Sequence, residues 1–552
     1  MSAALVDAVS LDKAKDALGS AELTQKAVAA HLANVCSVHG QLAVEKIDEH
    51  QLAAYDLSFI AAEILAAKFF LALAESGGGE IERRLAVFFT AECLADISAR
   101  VSFRLVEFGL GADSWRPQAF AEWAGQILSP EFYAATARVL GQRFPSFGLS
   151  PEQEEIRLLF RRFAETRVKP LAEKIHREDL LVPESIVKEL AEMGCFGLSI
   201  PQRYGGFQDD AKPDNLSMCL ATEELSRVSL GGAGSLVTRP EILAKALLKG
   251  GAEEQRAKWL PMIAAGQKMV CVAATEPDYG SDVAGITLKA VEKDGAWILQ
   301  GLKTWCTFAG RAEILLVLAR TDPDRAKKHK GLSLFIVEKP AFDARSFEHV
   351  QPGGGKISGR QIPCIGYRGM HTFEVVFDDY RVPLENLVGG REGLGRGFYL
   401  QMEGFAGGRL QTAARANGVS LAALEEAFNY ALNRKVFGKP VFEFQLTQWK
   451  LVRMAAWLAA SRQLSYQVAR LFDQGRGQME ASLAKLLASR ISEWITREAT
   501  QIHGAMGYAE EAAVSRYFVD GRVFSIFEGA EEILALRVIA KTLLEEALKK
   551  GQ

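Results

Sequence analysis

Several features that would have fixed the class of this chain early are missing. Its 552 residues carry seven cysteines, an odd number, with no CxxC pair among Cys36, Cys93, Cys195, Cys219, Cys271, Cys306 and Cys364. Neither a disulfide framework nor a zinc site is indicated, no metal is expected, and a reducing cytoplasm fits best. A dense basic tract is also absent. Net charge is −3, and the most cationic stretch, "RAKKHK" at 325–330, reads as a solvated turn, so nucleic acid and anionic membrane are poor partners. The most apolar segment, "FIAAEILAAKFFLALA" at 59–74, is broken by Glu63 and Lys68 and falls short of a bilayer span. The first residues include Asp7 and Asp12 and lack both the apolar core of a secretion signal and the arginines of a transit peptide. A soluble protein is expected. There is no Walker lysine, HExxH or GxSxG. "GGREGLGRGF" at 389–398 is glycine-rich, yet it lacks GxGxxG spacing and follows a turn-rich exit rather than a parallel strand, which argues against a Rossmann site.

What is present is a change of period along the chain. A length of 552 residues predicts three or four domains. Residues 1–148 read as an alanine-rich helical domain. A second helical domain, 149–268, opens at "SPEQEE", where Ser150 suits an N-cap, Pro151 the first helical position and the glutamates the positive end of the helix dipole. From 269 to 390 apolar and polar residues alternate, with Asp294-Gly295 signalling a two-residue hairpin, so a β-domain is expected there. From 391 to 552 the helical period returns as a bundle.

Two stretches carry candidate chemistry. "ATEPDYGSDVAG" at 274–285 presents Thr275, Ser281 and backbone amides at a strand exit, with Gly280 permitting close approach: a cradle for phosphate or a polar ring edge, or simply a capped polar loop. "KTWCTFAG" sets Trp305 and Thr307 on the same face of a strand, since side chains alternate with period two, which suits a planar cofactor as well as ordinary packing. Near the end, "SIFEGAEEI" puts Glu528 between Phe527 and Gly529. An acidic first turn of a helix would explain it, and so would a base in a dry pocket.

Taken together, "TEPDYGSD", "KTWCTFAGRAEILLVLART", "FEVVFDDYRVPLENLVG", "ALNRKVFGKPVFEFQ", "QIHGAMGYAEE" and "IFEGAEEI" resemble, in unbroken order over residues 150–552, the acyl-CoA dehydrogenase family. The resemblance implies a multidomain α+β fold: a helical domain, a middle β-domain and a C-terminal four-helix bundle, here with an extra N-terminal helical domain. It implies FAD as cofactor. Val272, Thr275, Gly280 and Ser281 match the segment that bonds and shields the flavin ring, and Trp305 and Thr307 match positions that pack on and bond to it. Arg434, Phe437 and Gln445, with Gln501 and Gly504, match segments that reach the FAD of a neighbouring subunit, so a homodimer or homotetramer is expected. Glu528 matches the catalytic base. The position used for the base by some relatives is Gly408 here, which leaves Glu528 as the only base of the family type. Arg409 and Ser281 match positions on the substrate side, and Gly529 allows the turn that aims Glu528 inward. The sequence departs from the family at Ala530 and Glu532, where many relatives have Thr and Gln. Glu532 therefore stands at a flavin-contact position with a charge that a pyrophosphate would oppose.

The reaction so implied is 2,3-dehydrogenation of an acyl-CoA thioester. Glu528 takes the α-proton, its basicity strengthened by an apolar setting, its own N–H and a ribityl hydroxyl stabilise the enolate-like oxygen, and flavin N5 accepts the β-hydride. Electron-transferring flavoprotein is the expected acceptor. The extension before residue 150 resembles that of a bacterial branch acting on (2S)-methylsuccinyl-CoA in the ethylmalonyl-CoA route of acetate assimilation. A substrate with a free carboxylate needs a cation in the acyl pocket; Arg239 and Arg368 are the candidates. Another short-chain acyl-CoA, an acyl-CoA oxidase or, more remotely, a DNA-associated flavoprotein are the alternatives.

Overall fold

The computed structural model describes residues 9–111, 114–141, 145 and 148–551. Asp7, and Phe144, Ser146 and Phe147 of the stretch leading into the second helical block, lie outside them. The chain divides into two compact units, Ile156–Gln411 and the discontinuous pair Met1–Glu155 with Thr412–Gln552.

Strands dominate the core of Ile156–Gln411: β1 (Val270–Ala273), β2 (Lys289–Lys293), β3 (Ala296–Thr307), β4 (Ile314–Arg320), β5 (Leu332–Glu338), β6 (Ser346–Val350), β7 (Lys356–Ile362) and β8 (Thr372–Pro383). They form one sheet in the order β1-β4-β2-β3-β8-β7-β6, with β5 also paired to β4. The β2–β3 hairpin turns on Asp294 (φ 50°) and Gly295 (φ 72°), both left-handed as a type I′ turn requires. β4 is buried along its whole length. Ile314, Leu316 and Leu318 pack with Leu243, Leu247 and Trp259 of the helices Thr238–Gly250 and Glu253–Ala264. Leu315, Val317 and Ala319 face Trp297, Phe335 and Phe377 within the sheet's other layer. That two-sided burial explains why "ILLVLA" reads as a continuous apolar run rather than an alternation.

The other unit is helical. Leu11–Val35, Gln51–Glu75 and Glu80–Ser102 pack with Gln445–Asp473 and Gln478–His503, so the first and last parts of the chain share one interior. Glu92 receives the Arg453 Nε–H at 2.6 Å and the Trp457 indole N–H at 2.7 Å, and Trp457 meets Phe89 edge-on. Ser150 caps the helix Pro151–Phe163 as expected: its hydroxyl accepts the Gln153 N–H, and Gln153 Oε1 accepts the Ser150 N–H in return.

One expectation needs correcting. The apolar segment at 59–74 is part of a longer helix, Gln51–Glu75, which by length and composition is long enough to cross a membrane. Of its most apolar window 72% is buried inside the fold. Glu63, deep within it, takes two bonds from the Arg100 guanidinium at 2.7 and 2.9 Å. Its apolarity is accounted for by packing against other helices on several sides.

Candidate active site

The strand-exit loop after β1 is fastened from beneath. Lys303, wholly buried on β3, donates to the Ala274 carbonyl and to Glu276 Oε1, each at 2.9 Å. Glu276 also accepts the Thr287 N–H and hydroxyl, both at 2.7 Å, and the Leu288 N–H at 2.8 Å. Burial alone would raise the Glu276 carboxyl, but the Lys303 ammonium and these donors bring it below the ordinary carboxylate value. Burial pulls Lys303 down to about 8 against the opposing pull of Glu276. Thr275 is tied in too, its carbonyl accepting the Thr304 N–H at 2.9 Å. The rest of the loop faces outward: Gly280 and Ser281 are exposed, and Thr275 and Val272 are half-buried. A Cβ added at Gly280 would meet nothing closer than Thr275 Cγ2 at 3.8 Å, so the room there opens away from the chain.

Alternation does not hold at the Trp305 end of β3. Cys306 pairs with Phe373 and Lys303 with Val375, so Thr304 and Trp305 together oppose Glu374. The extra residue is a bulge, with Trp305 at φ 58°. Trp305 is 57% exposed while Thr307 is buried. A bulge re-aims a side chain, and here it leaves a large indole in solvent next to Thr304, whose N–H bonds the Thr275 carbonyl.

Glu528 sits in a second, separately built turn. It is not in the first turn of a helix: the helix begins at Glu531, with Ala530 as N-cap. Its backbone is left-handed (φ 54°), followed by Gly529 at φ 100°. The carboxylate, 9% exposed, accepts the Thr412 hydroxyl at 2.7 Å and the Arg415 guanidinium at 2.8 Å. Arg415 is fully buried and lies over the Phe527 ring at 4.8 Å. Where an apolar cage was expected there is an ion pair: Ile526 is exposed, and the Phe527 ring lies under the Arg415 guanidinium. Lys485, also buried, donates to the Gly529 carbonyl at 2.7 Å, and Ser489 donates to that of Phe524 at 3.1 Å. A Cβ at position 529 would meet only the movable Leu534 Cδ2 at 2.9 Å, so it is the φ of 100° that favours glycine in this turn.

In the helical unit, Arg434, Phe437, Gln445, Gln501 and Gly504 are all exposed. Phe437, at the tip of a two-residue ladder (Lys435–Val436 with Lys439–Pro440), is left-handed (φ 50°) and 96% exposed. The Tyr430 and His503 rings stack at 4.3 Å and bring the two segments alongside each other. Glu532 is exposed, whereas its neighbour Glu531 is bound by Arg490. In the other unit, Arg409 is half-buried and Gly408 buried on the helix Gly397–Asn433. Arg239 is buried; it donates to Tyr367 Oη at 2.7 Å and to the Ser235 carbonyl at 3.3 Å. Arg368 is half-buried and donates to the carbonyls of Cys364 and His176.

Sequence reasoning missed Thr412, Arg415, Lys485, Glu276 and Lys303. A signal existed for two of them: Arg409, Thr412 and Arg415 recur every third residue, and the last two bond the same carboxylate.

Comparison with known proteins adds the following. Residues 150–267, 271–380 and 395–544 match models for the N-terminal, middle and C-terminal domains of acyl-CoA dehydrogenase. The chain is 39% identical to (2S)-methylsuccinyl-CoA dehydrogenase of Cereibacter sphaeroides, over 97% of this chain and 98% of that protein. Butyryl-CoA dehydrogenase of Megasphaera elsdenii is similar in structure, with a TM-score of 0.66 and 32% identity over 72% of this chain and all of that one. A glutaryl-CoA dehydrogenase from Mycobacterium smegmatis, solved with FADH2, gives a TM-score of 0.62 and 29% identity over 72% of this chain and 95% of that one.

Proposed function

We propose a specific reaction for this chain, which belongs to the acyl-CoA dehydrogenase family of flavin-dependent oxidoreductases acting on CH–CH bonds of acyl-CoA: oxidation of (2S)-methylsuccinyl-CoA to mesaconyl-CoA, with Glu528 as base and FAD as the flavin. The 39% identity to a methylsuccinyl-CoA dehydrogenase over nearly the whole chain, extension included, supports the substrate. The observation that carries the role of Glu528 is its placement against buried Arg415 in a left-handed turn clamped by Lys485.

The residues present fit a flavin. The Gly280–Ser281 backbone opens outward, and the exposed indole of Trp305 offers a face for a planar ring. Val272, Thr275, Ser281 and Thr307 would hold that ring; Arg434, Phe437, Gln445, Gln501, Gly504 and Glu532 would serve the cofactor of a neighbouring subunit, which makes the active form at least a dimer. FAD, when bound, supplies the acceptor for the β-hydride. The chain's own residues do the rest. Glu528 accepts the α-proton as the Cα–H bond breaks, a contribution of roughly 10²–10⁴ in rate for a positioned base. Its backbone N–H donates to the thioester oxygen as negative charge develops there. Ser281 and Arg409, and in the other unit Gly529, match substrate-side positions of the family. The free carboxylate of the substrate needs a desolvated cation; Arg239, buried beside the Tyr367 hydroxyl, suits this better than Arg368, which is only half-buried. Electrons would leave to electron-transferring flavoprotein in the cytoplasm.

Purified enzyme assayed with methylsuccinyl-, butyryl-, isobutyryl- and glutaryl-CoA should favour the first by at least tenfold in kcat/KM; preference for another thioester overturns the substrate. Glu528→Gln should keep a full complement of flavin and lose turnover by roughly 10²–10⁴. Retained turnover would remove Glu528 from the mechanism.

A further inference from the structure

The turn that carries Glu528 is gripped from two sides, and one grip comes from the first hundred residues. Three residues after Glu528, the Glu531 carboxylate accepts the Tyr55 hydroxyl of the helix Gln51–Glu75. Arg490 donates to both Tyr55 and Glu531, at 2.5 Å to the latter, and its guanidinium lies 4.0 Å over the Phe59 ring of the same N-terminal helix. One turn further along, Ser58, fully buried, donates to the Ala535 carbonyl at 2.8 Å. Arg537 then reaches back to both oxygens of Asp48, at 2.8 and 2.7 Å, and to the Val44 carbonyl at 3.3 Å. Three N-terminal side chains and one carbonyl thus land within residues 531–537.

That segment needs external support. Glu528 is left-handed without being glycine, at a cost of about 1–3 kcal/mol that only its surroundings can offset. Ala530 is extended, and the helix it caps passes at Leu534–Ala540 into a π-helical stretch, a geometry uncommon outside functional sites. Arg415, Thr412 and Lys485 fix the turn up to Gly529. Beyond that point, Arg490 and the N-terminal helices supply side-chain bonds to residues 531–537. Burial and the Glu531 carboxylate push the Tyr55 hydroxyl up to about 12, so it remains a proton donor throughout the working range.

We propose that the N-terminal helical segment is a brace for the base-bearing turn, with Tyr55 as its principal positioning residue, seconded by Ser58 and Asp48. The inference rests on Glu528 being the base. The brace holds residues 531–537 in place and so keeps the Glu528 carboxylate where a proton can be taken; a displacement of about 1 Å at such a group costs on the order of 10²-fold in rate.

The test uses the full-length, flavin-loaded protein and the variants Tyr55→Phe and Tyr55→Phe/Ser58→Ala, with Lys68→Ala on the exposed face of the same helix as a control. Amide hydrogen exchange across 528–537 should quicken at least tenfold in the variants, while 478–503 keeps its protection. With methylsuccinyl-CoA, kcat should fall about tenfold or more with KM within twofold. The kinetic isotope effect on kcat with α-deuterated substrate should rise, which a mere loss of folded protein would not cause. Unchanged exchange across 528–537, or kcat within twofold of the parent despite faster exchange, overturns the brace. If the parent oxidises none of the thioesters tested, the proposed reaction fails, and the exchange measurement alone decides the brace.

Discussion

Glu528, Trp305 and Phe437 share a left-handed backbone, at φ 54°, 58° and 50°, and are otherwise opposites. Glu528 is enclosed: its carboxylate, the next carbonyl and the following helix each meet a side chain of the same unit. Trp305 and Phe437 extend into solvent, 57% and 96% exposed, with no such enclosure. A group that works through its own ionisable atoms has to be aimed by the protein itself. A ring that works by lying against something else is held at its backbone and left open at its face.

The comparison can be broken most forcefully at Arg415. Replacing it by Met leaves Glu528 beside a cavity without its guanidinium, and loss of one partner from a buried pair costs about 3–5 kcal/mol. Urea unfolding should show that loss, and kcat should drop with it; a change under about 1 kcal/mol would mean the turn does not depend on the pair. The open class should behave in the reverse manner. Trp305→Ala should shift the unfolding of the flavin-free protein by no more than about 0.5 kcal/mol, as at other exposed positions. Flavin affinity, measured by fluorescence titration, should weaken about tenfold, or roughly 1.4 kcal/mol. A large stability loss with unaltered flavin binding would place Trp305 with Glu528 instead.

How far this division could be read in advance differs between the two classes. The open class was legible: "TEPDYGSD", "KTWCTF" and "NRKVFG" are local strings, and a resemblance transfers with them. The helical and β segments were legible too, since period and turn residues are local signals; Asp294-Gly295 and Ser150 behave as read. The enclosed class was not. Arg415 lies more than a hundred residues from Glu528 and Lys485 more than forty, and nothing in "IFEGAEEI" says that cations will arrive from elsewhere in the fold. The apolar flank suggested a dry cage because a side chain's neighbours in sequence are not its neighbours in space. Trp305 was misjudged on a smaller scale, since a bulge cannot be seen from alternation alone.

The smallest expected effect is one of pH. Glu276 has a folded-state carboxyl below its ordinary value, so its contribution to holding the loop is complete above the unfolded value of about 4.3 and is lost as pH falls through the lower, folded one. Flavin release followed by fluorescence should therefore steepen below about pH 4.3, and Glu276→Gln should flatten that limb while leaving neutral-pH retention only modestly reduced.

The helix Gln51–Glu75 finds part of its packing surface in segments that begin at Thr412. During synthesis that part of its apolar surface must wait for roughly 340 further residues, which at about 5–20 residues per second is roughly 20–70 s on the ribosome. The intervening unit can fold in that time, but this helix cannot be completed. Such a layout makes the nascent chain a customer for a holdase, and it makes a permuted gene, with the first 155 codons moved to the end, the version expected to mature fastest.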